Sequence, residues 1–172
     1  VLRYVLCAIS PENKDSDFSW KDFQARNNNE LGAIFGNFVN RTLVLTHKYF
    51  NGVVPEQNAL EKEDIAVLDV LKQTPLTVEK AIRSFRFRDA QAEAMKLART
   101  GNKYLADTEP WKQIKTNPDR VKTILNISLQ ITANLAVVFE PFMPHISTKL
   151  ASMLGIELPK WDATGNNALM SS

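Results

Sequence analysis

An all-α helical bundle is the fold that three observations predict. Apolar residues recur at helical spacing in each long segment of the chain. Those segments are bounded by proline, by Asn-Gly or by small capping side chains. Only Val53-Val54 suggests an extended piece, and it is too short to build a sheet. No self-similarity at spacings of roughly 20–50 residues appears, so a bundle fits better than a solenoid.

The elements follow in order. Leu2 to Ile9 forms a short helix ended by Ser10-Pro11, and Pro11 to Asp17 reads as a polar connector. Ser19 caps a helical start at Trp20-Lys-Asp. The triple Asn27-Asn28-Asn29 is a poor helix interior and predicts a break or kink before a first long helix near 29–50. Asn51-Gly52 stops that helix, with Pro55 beyond. A second helix is expected over 61–84, with Ile65, Leu68, Val70 or Leu71, Leu76 and Ile82 inward, kinked or split at Pro75. A third over 87–107 carries Ala90, Ala94, Leu97, Ala98, Gly101 and Leu105 on one face, small enough to admit a close neighbour. Pro110 opens a short helix through Lys115. A fourth long helix spans 118–139, with Val121, Ile124, Leu125, Ser128, Ile131, Thr132, Leu135 and Val138 inward. Pro141 and Pro144 end it and open a last helix to Leu154, and residues 161–172 read as a loose tail.

Composition bounds the function. The chain of 172 residues is 44% apolar and 23% charged, which fits one globular domain with a sizeable core. No segment approaches the roughly 20 apolar residues expected of a membrane span. Val1 to Ile9 is apolar but carries Arg3 and lacks a small-residue cleavage site, so it does not read as a signal peptide. The single cysteine, Cys7, lies in an apolar run and is expected to be an inert thiol. Two histidines and one cysteine offer no familiar zinc spacing, and Asp15-Ser-Asp17 lacks the remaining ligands of a metal loop. A formal charge of +2 does not indicate a long phosphate track. Any RNA site must be local, as in recognition of a single-stranded loop.

The first long helix is strongly amphipathic. At about 100° per residue, Glu30, Asn37, Arg41 and Lys48 fall within roughly 20° of one line. Leu31, Phe35, Phe38, Val39, Leu43, Tyr49 and Phe50 cover the opposite arc. The residues flanking the polar line (Ala33, Ile34, Val44 and Leu45) are apolar, so Asn37 and Arg41 are expected at the rim of the core. They could form a plain polar stripe, with Arg41 paired to Glu30 or Asp107. An amide and a guanidinium one turn apart can equally read a base edge and its phosphate. Trp111, set by Pro110 in the first turn of a helix, is either a lid on the bundle or a platform for an unpaired base. Asn40, His47 and His145 read as surface or structural residues. Lys80, Arg83, Arg86 and Arg88 form a basic cluster that is either a solvated face or a surface near RNA.

Arg26-Asn-Asn-Asn-Glu-Leu-Gly with Gly36-Asn-Phe-Val-Asn-Arg41-Thr, Asn102-Lys-Tyr-Leu-Ala-Asp-Thr-Glu-Pro-Trp111 and Glu140-Pro-Phe-Met-Pro-His145-Ile resemble three hallmarks of one family. It is the anticodon-binding domain of class I aminoacyl-tRNA synthetases, shared by the methionine, isoleucine, valine, leucine and cysteine enzymes. Val1-Leu-Arg-Tyr-Val-Leu, Lys14-Asp-Ser-Asp-Phe-Ser-Trp-Lys-Asp-Phe23 and Thr46-His-Lys-Tyr-Phe-Asn-Gly-Val-Val-Pro55 narrow the resemblance to methionyl-tRNA synthetases, from residue 1 to Trp161.

The resemblance implies an anticodon-binding fragment separated from its catalytic half. Residues 1–20 would be a remnant of the stem-contact or connecting region, 21–160 the helical domain and 161–172 the tail. Trp111, supported by Pro110, would stack on the anticodon, while Asn37 and Arg41 contact its first base, a cytosine. All three are expected in one pocket between the first and third long helices. The partners implied are the anticodon loops of initiator and elongator methionine tRNA and the missing catalytic domain in cis, with no membrane and no DNA. No catalytic residue, cofactor or metal is expected in this chain, since the His-Ile-Gly-His and Lys-Met-Ser-Lys-Ser type signatures and the Cys-rich insertion are absent. The parent enzyme would be cytoplasmic and use ATP and Mg²⁺, with Zn²⁺ in the catalytic half of many members. The rivals are the same domain of a sibling synthetase and a helical protein–protein adaptor.

Overall fold

The computed structural model describes residues 1–12 and 15–170. Part of the connector expected over Pro11 to Asp17, and the last two residues of the tail, lie outside the described residues. Eight α-helices occur among them: α1 (Leu2–Ala8), α2 (Trp20–Arg26), α3 (Asn37–Phe50), α4 (Lys62–Arg83), α5 (Phe87–Thr108), α6 (Pro110–Gln113), α7 (Pro118–Val138) and α8 (Pro144–Met153). A π-helical segment, Asn27–Gly36, joins α2 to α3, and a 3₁₀ turn covers Trp161–Ala163. No strand occurs among the described residues.

The break expected at the asparagine triplet is absent. Asn27 and Asn37 both keep right-handed helical backbone angles (φ −57°, ψ −46° and φ −62°, ψ −45°), so the chain stays helical from Trp20 to Phe50. The triplet widens the helix to i→i+5 pairing without interrupting it. Burial of Leu31 and Phe35, and the bonds of Glu30 to Tyr4 and Arg26, hold the widened segment in place. Ser19 caps α2 through the Asp22 amide, and Asn51 ends α3 in the left-handed conformation (φ 53°).

Helix α4 runs through Pro75 without being split. Its buried face is only partly the expected one: Leu71 is buried, and Leu68, Val70 and Ile82 pack against the core. Asp64, Val67, Leu71, Thr74, Pro75, Val78 and Ala81 point inward, whereas Ile65 and Leu76 are 51% and 59% exposed. The phase is set by Asp64, which is fully buried because Arg120 meets it with two bonds of 2.5 and 2.9 Å and the Tyr104 hydroxyl donates a third. The Asp64–Tyr104 bond places the start of α4 beside the end of α5, so the two helices run antiparallel. The small face of α5 is buried as the sequence predicts.

Helix α7 is the axis of the bundle. Every residue from Arg120 to Phe139 is buried except Lys122, which is half-buried, so the helix is covered all round rather than on one face. By length and composition it could cross a membrane, contrary to the sequence expectation, but 94% of that stretch lies inside this fold. Its polar side chains fasten the connectors. Asn126 donates to Pro55 O, Thr123 accepts from Asn58 N, and Gln130 binds both the N–H and the C=O of Met170. Asn134 likewise accepts from Gly165 N and donates to Asn166 O. The tail up to Met170 is therefore held against the core, not loose, with Met170 itself buried.

Candidate nucleic-acid interface

Helix α3 lies close against α5 because Gly101 leaves room for the Phe38 ring. A Cβ at Gly101 would stand 2.5 Å from Phe38 Cε2, and Phe38 is fully buried. This close approach aligns the polar line of the first long helix with α5. Glu30 lines a small cavity with Gln91, Met95 and Arg99. Further along, Asn37 bonds to Asn102, and Arg41 reaches the turn beyond the end of α5.

That turn displays Trp111. Glu109 takes the left-handed conformation (φ 41°, ψ 56°), which ends α5 and swings the chain into α6. Pro110 is buried at the first position of α6, where its missing N–H costs no helical bond. Lys112 N donates to Glu109 O, and Gln113 Nε2 donates to Thr108 O, which closes the turn from both sides. Trp111 is left 37% exposed. The Arg41 guanidinium carbon sits over its ring, 5.1 Å from the centroid.

The structure thus brings Arg41 and Trp111 into contact and sets Asn37 one turn before Arg41 on the same helix. Asn37 is exposed and Arg41 half-buried. The expected acidic partners of Arg41 are engaged elsewhere, Glu30 with Arg26 and Asp107 with Lys103. Asn102, to which the sequence reading gave no role, proves central. Its Nδ2 donates to Ile34 O at 2.8 Å and Ala98 O at 3.2 Å, and its Oδ1 accepts from Asn37 Nδ2 at 3.1 Å. Its place beside Ala98 and Gly101 on the small face of α5 was the available signal, since a polar residue there must meet the neighbouring helix.

Other candidates have plainer roles. The basic cluster is dispersed: Arg83 pairs with Glu79, Arg86 with Asp89, and Arg88 ties the end of α1 to α5 through Ser10 O and Glu12. Burial pushes the half-buried Cys7 thiol above its ordinary pKa, away from the thiolate. Among the described residues no group of three His, Cys, Asp or Glu gathers to hold a metal ion, so this part of the chain does not fit one. Burial alone would raise the Asp64 carboxyl. The Arg120, Tyr104 and Glu61 N–H bonds together outweigh it and hold the group below the usual carboxylate range.

The fold is similar to that of Mycobacterium tuberculosis methionyl-tRNA synthetase in complex with methionyl-adenylate. The TM-score is 0.86 at 24% identity, over 90% of this chain and 31% of that one. That likeness defines the fold, a helical domain. Residues 54–171 match the anticodon binding domain of methionyl tRNA ligase, and residues 1–43 match the tRNA synthetases class I (M). The methionine–tRNA ligase of Phocaeicola vulgatus is 61% identical over 171 residues, covering 99% of this chain and 25% of that protein. That of Porphyromonas gingivalis is 60% identical over 171 residues, with the same coverage. The chain belongs to the methionine–tRNA ligase family, as its anticodon-binding domain. It spans about a quarter of the length of the curated relatives it matches.

Proposed function

We propose that this chain recognises the CAU anticodon of initiator and elongator methionine tRNA, with Trp111 as the stacking platform and Asn37 and Arg41 as readers of the first base, a cytosine. The observation that carries this reading is the contact of Arg41 with the exposed Trp111 ring, one helical turn from Asn37. A base laid on the open part of an indole gains roughly 1–3 kcal/mol whatever its identity. Identity then comes from the polar edge, which the amide and guanidinium border. A formal charge of +2 suits such a local site better than long phosphate tracking.

In the whole ligase this domain acts in cis with a catalytic half that joins methionine to its tRNA at the expense of ATP, with Mg²⁺ and, in many members, Zn²⁺. The cytoplasm is the compartment that this role implies. The similarity to a synthetase solved with methionyl-adenylate supports the ATP-dependent step for the parent protein.

The test is a titration of the chain against two stem-loops carrying the methionine and isoleucine anticodons. Preference for the methionine loop supports the reading. Equal affinity, or no binding by the folded chain, overturns it.

A further inference from the structure

We propose that Asn102 is a positioning residue that makes this site read cytosine rather than uracil, by fixing which way the Asn37 amide points. The inference rests on the anticodon reading above and adds the origin of its base specificity. An asparagine amide carries an acceptor oxygen and a donor nitrogen of nearly equal size, and half a rotation exchanges them. Asn37 is exposed on α3, and nothing in its own backbone dictates which end faces a ligand.

Asn102 has no such freedom. Its amide nitrogen meets two backbone carbonyls, Ile34 O at 2.8 Å and Ala98 O at 3.2 Å, and carbonyls only accept. Turning the Asn102 amide round would set its oxygen against both. Its Oδ1 is therefore obliged to face Asn37, and an oxygen there accepts only from the Asn37 NH₂, at 3.1 Å. The Asn37 Oδ1 is left pointing away from α5. Direction thus passes from two fixed carbonyls, one in the π-helical segment and one in α5, through Asn102 to Asn37.

The outward oxygen discriminates. Cytosine presents an exocyclic amino donor beside the N3 and O2 acceptors, so the amino group meets Asn37 Oδ1 and the acceptors meet the Arg41 guanidinium. Uracil presents a carbonyl where cytosine has its amino group, and an N3–H where cytosine has an acceptor. Both contacts are then mismatched, oxygen against oxygen and donor against donor. A free Asn37 amide could turn its NH₂ outward and donate to the uracil carbonyl. Asn102 forbids that turn.

The experiment compares dissociation constants of the chain for two methionine-type stem-loops that differ only in C or U at the first anticodon base. The unaltered chain should prefer C by about ten- to a hundredfold, the cost of a wrong base at a good contact. Asn102→Ala should lower the ratio by roughly three- to tenfold, leaving the part that Arg41 supplies, while Trp111→Ala in that background still weakens both RNAs. Asn102→Leu, close in size, carries the same readout should the alanine variant unfold. A carboxylate at position 37 accepts from either side, so the double variant Asn102→Ala/Asn37→Asp should recover a preference for C. The inference is overturned if folded Asn102→Ala or Asn102→Leu keeps the original ratio, or loses affinity for both RNAs equally. If instead the unaltered chain does not distinguish the two loops, it is the anticodon reading that fails.

Discussion

The Arg41 guanidinium covers the Trp111 ring at 5.1 Å and so couples the middle of α3 to the turn that follows α5. A cation over an exposed indole contributes about 0.5–1 kcal/mol, enough to bias the ring without locking it. The contact also explains why Arg41 needs no carboxylate partner. The quadrupole of the indole receives its charge, and its remaining N–H groups stay available to a ligand.

Trp111→Ala removes the platform but spares the buried Pro110 that shapes the turn. The variant is expected to lose about 1–3 kcal/mol of affinity for the methionine stem-loop. Circular dichroism must show the helix content unchanged. Undiminished affinity in a folded variant would remove Trp111 from the site and favour the lid role.

Arg41→Ala should weaken binding by a comparable amount and reduce the preference for cytosine over uracil, since a wrong base costs about 1–3 kcal/mol at a bidentate contact. Lys62, exposed at the start of α4 and outside the group formed by Asn37, Arg41 and Trp111, is the control. Its substitution should change only the salt dependence of binding, and that slightly. The same titrations with both variants separate base reading from general charge.

The legible and illegible parts of the chain differ in kind. Helix positions were readable because each boundary carries local chemistry: Ser19, Asn51-Gly52, Pro110, Pro118 and Pro144. Burial was readable where the pattern was one-sided, as on the Ala-Gly face of α5. On α4, where Leu71 is buried as expected, it failed at Ile65 and Leu76, to which apolarity pointed, because a buried carboxylate at Asp64 set the phase. Only the tertiary partners Arg120 and Tyr104 make that burial tolerable. The tail failed similarly, because its anchors are backbone groups captured by Gln130 and Asn134 of α7, which no composition reveals. At the site, helix phase singles out Asn37 and Arg41, the Pro110 turn singles out Trp111, and family resemblance supplies their role. Asn102 stood in the quoted motif without a role, since its function lies in a bond across two helices.

Acid should loosen this domain through Asp64. Its folded pKa lies below the unfolded value, so its contribution is complete above about pH 4 and is lost as pH falls through the folded value. Denaturant midpoints measured from pH 7 down to pH 2.5 should fall in that lower window. Asp64→Asn should lose about 3–5 kcal/mol at neutral pH, because it strands the buried Arg120 with only the exposed Glu61 at 3.3 Å. Its profile should also lack the part of the acid slope that Asp64 supplies. Parallel profiles for the two proteins would show that other carboxylates govern the transition.

Gly101→Ala tests whether the close approach of α3 and α5 builds the site. On helix propensity alone the change would stabilise α5 by about 1 kcal/mol. The new methyl group, however, would lie 2.5, 2.6 and 2.9 Å from three carbons of the Phe38 ring, which is fully buried. Overpacking of this kind costs about 1–3 kcal/mol and is relieved by moving the helices apart. The expected net effect is a lower unfolding midpoint together with weaker stem-loop binding, because separation stretches the 3.1 Å bond between Asn37 and Asn102. Phe38→Leu in the same chain removes the colliding ring carbons and should restore part of both losses. If Gly101→Ala instead raises the midpoint and leaves RNA binding intact, helix propensity outweighs the contact, and the spacing of α3 and α5 is not what holds the polar pair in place.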